Sequence, residues 1–265
     1  MPATLYDDKL KTVSIAHLKD GPNDDLGPCG FFWLGGFMSD MTGSKAESLA
    51  DLARSQRRTC LRFDYSGHGQ SSGLFVDGTI TQWLEEATHM FLAHTRNKRI
   101  IVGSSMGGWI AQLLARRLKQ EDASAFRRIG GMVLLAPATD MTLDLMWDRF
   151  TKLQKQAMAD NGIFHQPSHY GDPYPITLKL IEDGATHRIL DKGLDLPFPL
   201  RILQGTDDVE VPPAHAFKTF DALRGPDITL SYVKGGDHRL STPVNLRLIR
   251  ETVLQLAERA DGGGV

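Results

Sequence analysis

Short apolar runs alternate with stretches of helical pattern along this chain, and that rhythm restricts its fold more than any other feature. The runs cover residues 30–34, 59–65, 99–104, 132–136, 200–204 and 228–233. Helical patterns fill 44–57, 78–95, 106–120, 213–223 and 243–260. Strand, helix and strand in succession make a crossover unit. The repetition therefore predicts an α/β fold, a mostly parallel central sheet flanked by helices on both faces. Residues 12–18 read as an early strand of antiparallel edge type. At 265 residues the chain is long enough for one large domain of this class.

One interval breaks the rhythm. Residues 139–194 contain no convincing strand pattern. A helical pattern runs over 141–158, Pro167, Pro173 and Pro175 interrupt it, and a second helix follows over 176–183. A long insertion at the carboxyl end of a strand is where function is often built. Residues 1–138 and 195–260 are thus read as the core, 139–194 as a helical cap insertion, and 261–265 as a frayed, flexible tail.

The bulk properties exclude several classes of partner. A formal net charge of -2 provides no basic field for nucleic acid. The pairs Arg57-Arg58, Arg116-Arg117 and Arg127-Arg128 read as solvated helix ends and loops. No apolar stretch reaches membrane-spanning length, and the polar start of the chain lacks the apolar core of a signal peptide. Cys29 and Cys60 are too few for a disulfide framework and are expected as free thiols, Cys60 buried, in a reducing compartment. His165 and His169 are spaced like a metal pair. Pro167 lies between them and no carboxylate cluster accompanies them, so no metal is expected. Nothing in the sequence sets an oligomeric state.

The chemistry is carried by Gly103-Ser104-Ser105-Met106-Gly107, which fits G-x-S-x-G centred on Ser105. Such a serine sits on a sharp strand-to-helix turn that tolerates only small neighbours. Here a strand pattern precedes the motif and a helical pattern follows it. Ser105 therefore lies at the positive end of a helix, which favours developing negative charge. Ser104 lacks the spacing and reads as a packed or hydrogen-bonded turn residue.

A serine hydroxyl needs a base, and the base needs an acid to orient it. Where the nucleophile occupies this kind of turn, the acid and then the histidine follow it in the chain. His238 lies after the last strand pattern, in Gly235-Gly236-Asp237-His238-Arg239. His215 falls in or near a helix and reads as a surface residue, and Asp237 reads as a loop-shaping residue. The segment from Gly205 to Pro212 offers Asp208 as the acid, with neighbouring Asp207 pointing elsewhere. The backbone N–H groups of Met106 and Phe37 are candidate oxyanion donors. Phe37 follows Gly35-Gly36, whose lack of side chains lets substrate approach the main chain.

Three segments together make the chain resemble the α/β-hydrolases. They are residues 36–46 (Gly36-Phe37-Met38-Ser39-Asp40-Met41 and onward), Arg62-Phe63-Asp64-Tyr65-Ser66-Gly67-His68-Gly69, and Val102 to Trp109. More narrowly, they are similar to the branch containing the palmitoyl-protein thioesterase that also cleaves mycophenolic acid acyl-glucuronide. The resemblance implies the α/β-hydrolase fold and a serine hydrolase acting on carboxylic esters or thioesters through an acyl-enzyme, with no cofactor. It also implies that Asp64 and His68 shape a loop. The substrate would be a small molecule or an acylated protein.

Gly36, Trp147 and Phe150 are candidate substrate contacts. Trp147, Phe150, Phe164, Tyr170 and Tyr174 either line an acyl pocket or form the cap's own small core. No Arg- and Ser-rich leader precedes the core, which points to a bacterial-type cytoplasmic protein. The same triad also supports C–C bond hydrolysis or perhydrolysis, and the same scaffold supports non-catalytic ligand binding.

Overall fold

The computed structural model describes residues 4–22, 26–166 and 173–262. Strands β1 (Thr4–Leu10) and β2 (Val13–Asp20) form an antiparallel hairpin at the start. There follow β3 (Gly30–Leu34), α1 (Ser44–Ser55), β4 (Cys60–Phe63), α2 (Ile80–His94), β5 (Arg99–Ser104), α3 (Met106–Glu121), the single turn α4 (Ala123–Phe126) and β6 (Ile129–Leu135). The 139–194 segment supplies α5 (Lys152–Asn161), β7 (Ile163–Gln166), β8 (Tyr174–Thr177), α6 (Leu178–Ala185) and the first residue of β9 (Leu194–Asp195). The chain closes with β10 (Leu200–Gly205), α7 (Pro213–Ala222), β11 (Leu223–Arg224), β12 (Ile228–Val233) and α8 (Pro243–Ala260).

Eight strands form one sheet in the order β1-β2-β4-β3-β5-β6-β10-β12. The pairs from β4 to β12 are parallel, while β1–β2 and β2–β4 are antiparallel. Period-two alternation sends Phe32, Leu34 and Ile101 to a core with α2 and α3. It sends Phe31, Trp33, Ile100 and Val102 to the opposite core with α1 and α8. Both faces of the central strands are buried, which is why they read as continuous apolar runs. The expected α/β class, mostly parallel and covered on both faces, is the observed one.

Four features of the fold differ from what the sequence predicts. The sheet edge is β1, not the segment at 12–18. Its Asp7, Asp8 and Lys9 gave no apolar alternation because an edge strand needs little burial. The 139–194 segment does contain strands: β7 and β8 pair as a hairpin, with Ile163 opposite Thr177. The pattern over 141–158 is not one helix. A π-helical turn at Thr142–Met146 and a 3-10 turn at Trp147–Arg149 precede α5. Helix α5 starts at Thr151 through a capping box with Gln154. Lastly, Arg58 is buried and pairs with Asp261 at 2.7 Å, and Asp261 also accepts the Cys29 N–H at 2.7 Å. Asp261 is pinned to the core and not frayed, whereas 263–265 lie outside the described residues. Both thiols are free and buried, and burial pushes each up to about 12.

Candidate active site

Ser105 terminates β5 and opens α3 with φ 54 and ψ -119. That positive φ is strained for a residue with a Cβ, and the surroundings hold it there. Its N–H donates to the Leu135 carbonyl at 2.9 Å, and its own carbonyl accepts from Gly108 at 2.9 Å and Ala138 at 3.1 Å. Small neighbours are obligatory. A Cβ on Gly103 would lie 2.4 Å from the Gly107 carbonyl oxygen, and one on Gly107 would lie 2.1 Å from that of Leu34. Ser104 is buried beside Ser105 on the cavity wall.

His238 reaches Ser105 from the loop between β12 and α8. Its Nε2 lies 3.1 Å from Ser105 Oγ and its Nδ1 lies 2.8 Å from Asp208 Oδ2. Asp208 is held in turn. Its Oδ1 accepts the Val211 N–H at 2.8 Å, and its Oδ2 accepts Gln204 Nε2 at 3.0 Å. Asp207 points away and accepts from Thr206 Oγ1, while Asp237 caps its own loop by accepting the Leu240 N–H at 3.0 Å. His215 differs from expectation. It is buried, its Nε2 lies 2.8 Å from the Thr139 carbonyl, and burial holds its pKa below the usual value. Pro213 starts α7 so that position 215 turns inward toward Thr139, which a helical period alone does not reveal.

The turn after β3 brings Gly36 against Ser105, with a hypothetical Gly36 Cβ 3.4 Å from Ser105 Cβ. Phe37 is anchored by its ring, which packs edge-on against Phe75 at 4.8 Å and Tyr174 at 5.9 Å. Among the described residues, neither the Phe37 nor the Met106 N–H donates to a carbonyl in the turns and caps.

A cavity of about 850 Å³ opens over this group, lined by Gly36, Phe37, Ser105 and His238 on one side and Met146, Arg149 and Tyr174 on the other. Trp147 and Phe150 do not line it. They pack with Phe164, Met158 and Ile176 in a separate apolar cluster, with Phe150 and Phe164 rings 5.5 Å apart. The 139–194 segment needs that core because its apolar surface would otherwise face water. Tyr174 serves both the cluster and the cavity. Tyr170 and His169 lie outside the described residues, and His165 is exposed.

Two cavity residues escaped the sequence reading. Lys45, near the start of α1, donates through Nζ to the carbonyl of Arg239, the residue after His238. Burial lowers its pKa to about 8, against the opposing pull of Asp237 and Asp208. Glu210 brings a carboxylate oxygen within 4.8 Å of ligand atoms on Asp208 and His238. A metal at that cluster would take one His238 nitrogen and so break its hydrogen bond either to Asp208 or to Ser105. Lys45 lies inside the 36–46 motif and Glu210 inside the 205–212 segment, but neither spacing shows what the side chain faces.

A model described as the alpha/beta hydrolase family matches residues 28–250 of the chain. The human protein named palmitoyl-protein thioesterase ABHD10, mitochondrial, is 26% identical over 232 residues, covering 87% of this chain and 73% of that protein. A crystal structure of a protein from Agrobacterium vitis S4 superposes with a TM-score of 0.92 at 40% identity, covering 97% of this chain and 100% of that one. Mouse alpha/beta hydrolase domain-containing protein 10 superposes with a TM-score of 0.84 at 23% identity, covering 97% and 99%.

Proposed function

This chain belongs to the alpha/beta hydrolase family, and from that premise we propose that it is a serine hydrolase that cleaves carboxylic esters or thioesters through an acyl-enzyme. The observation that carries the reading is the continuous chain from Ser105 Oγ through His238 to Asp208, at 3.1 and 2.8 Å. Ser105 Oγ attacks the substrate carbonyl while His238 Nε2 takes its proton. Asp208 holds the imidazole with Nδ1–H toward itself and stabilises the imidazolium. The Met106 and Phe37 N–H groups receive the oxyanion, where one donor is typically worth about 100- to 1000-fold in rate. His238 then returns the proton to the departing alcohol or thiol. Water, deprotonated by His238, attacks the acyl carbonyl and releases the acid and Ser105.

We read residues 139–194 as a cap over this site. Its two ends are tied together because Asp140 accepts the N–H groups of Ile189 at 2.9 Å and Leu190 at 3.0 Å. Gly36, Tyr174 and Met146 are the substrate contacts that the cavity favours. The substrate is a small molecule or an acylated protein, in line with the thioesterase name of the human relative. Two buried free thiols fit a reducing compartment such as the cytoplasm, although that relative is named as mitochondrial. No helix among the described residues is long and apolar enough to cross a membrane.

The test is p-nitrophenyl acyl ester and acyl-thioester turnover by the full chain and by Ser105→Ala. Loss of both activities with an unchanged melting profile is the expected result. Undiminished turnover in the variant rules out the assignment. Failure of a fluorophosphonate probe to label the wild-type chain at Ser105 favours a non-catalytic binding role.

A further inference from the structure

A second cluster of chemically capable side chains lies far from Ser105, where β1 crosses the end of α2. Asp8 Oδ2 is 2.7 Å from His89 Nε2 and 2.7 Å from His94 Nε2. All three side chains are partly exposed, at 27%, 32% and 18%, so solvent reaches the point they share. We propose that Asp8, His89 and His94 form a binding site for a borderline divalent cation of the zinc class, with water completing a tetrahedron.

The donor set is the first argument. Two imidazoles and one carboxylate are ordinary zinc ligands, and three protein ligands leave one position open. Around such an ion, ligand atoms with bonds of about 2.0 Å stand about 3.3 Å apart. The ion therefore needs each Asp8–imidazole separation to open by about half an ångström, and the three ligand atoms already lie within 4.8 Å of one another.

The fold holds the ligands in place. His89 and His94 belong to one rigid helix. The His94 ring is backed by buried His17 at a centroid separation of 4.4 Å. The site adjoins the C-terminal end of α2, whose dipole favours a cation. Lys19 opposes it, since its charge lies close enough to lower the pKa of His94. A bound ion would staple the polar edge strand β1 to α2 and leave the cavity at Ser105 untouched. No short-range motif announces the site, because Asp8 and His89 are 81 positions apart.

The full chain, dialysed against chelator, is titrated with zinc chloride by calorimetry and melted with and without zinc. The expected result is one ion per chain with micromolar or tighter affinity and a raised Tm. Both effects should vanish in a His89→Ala, His94→Ala double variant whose ester hydrolysis is unchanged. Asp8→Asn keeps the shape and removes the charge, so it should weaken binding at least tenfold, and it serves if the double variant fails to fold. The proposal is overturned if zinc does not bind in that range or if Asp8→Asn binds as tightly as wild type. Binding that survives in a folded double variant, or that is lost in Glu210→Gln, also overturns it.

Discussion

Asp64 Oδ1 accepts the backbone N–H of Met41 at 2.6 Å. The other carboxylate oxygen accepts the Gln70 N–H at 2.8 Å, so one buried side chain ties the turn after β3 to the loop after β4. Met41 lies four residues beyond Phe37, and the tie fixes the path of the turn that carries the Phe37 N–H. Asp64→Asn puts an amide donor against one of two backbone donors. We expect a loss of about 1–3 kcal/mol in stability and a lower kcat/KM from the loosened turn. Urea unfolding and steady-state kinetics measure both. A variant equal to wild type in both respects would show that the tie is dispensable.

Gly107 connects the helix behind Ser105 to the same turn. A Cβ there would meet the carbonyl oxygens of Leu34 at 2.1 Å and Gly35 at 2.5 Å, both backbone atoms that cannot yield. Gly107→Ala is expected to cost about 3 kcal/mol or more. Gly36→Ala meets nothing nearer than 3.4 Å, so it should fold. Its methyl would point toward Ser105 and lower kcat/KM. Denaturation midpoints that rank the two variants in the reverse order would refute the packing argument.

The sheet was legible because its central strands are buried on both faces and read as apolar runs between helical patterns. What escaped was structure that does not rest on apolar periodicity. Strand β1 is held by pairing to β2 and carries Asp7, Asp8 and Lys9. The β7–β8 hairpin contains Pro175, which an edge position tolerates. The break before α5 did have a local signal, the Thr151-Lys152-Leu153-Gln154 capping box, hidden inside a convincing apolar spacing. At the site, Ser105, Asp208 and His238 were readable because each occupies a turn of recognisable composition. Lys45 was not, since its partner Arg239 is 194 positions away. Trp147 and Phe150 pack into the 139–194 segment's own apolar cluster because a small segment must bury its aromatics somewhere.

Asp208 is the acid in the proposed mechanism, and its surroundings dictate what Asn would do there. Oδ1 faces the Val211 N–H, and Oδ2 faces donors on both His238 and Gln204. An amide nitrogen turned to His238 forces the proton onto Nε2, leaving Ser105 without a base. Asp208→Asn should therefore lower kcat by about 10⁴-fold while KM changes little. A loss below tenfold would assign the orienting role to another group.

Acid should destabilise the fold through buried histidines, most of all His68 and His17. His68 sits among Tyr65, Phe75 and Trp83, its Nδ1 3.1 Å from the Ser66 carbonyl and its Nε2 without a partner among the described residues. Burial lowers its pKa from 6.5 to about 4. His17, also buried, is lowered to about 4 chiefly by burial and then by the nearby His94. Above pH 6.5 neither the folded nor the unfolded chain binds these protons, and the stability they permit is complete. Between pH 6.5 and 4 the unfolded chain takes them up and the folded chain does not, so stability falls as pH falls. Below about pH 4 the folded chain protonates as well and this slope ends. Each histidine contributes at most about 3 kcal/mol over that window. His68→Asn keeps a donor for the Ser66 carbonyl and removes the titration. Its urea midpoint should therefore fall less than that of wild type between pH 6.5 and 4.5. Parallel slopes for the two proteins would mean that the acid sensitivity lies elsewhere.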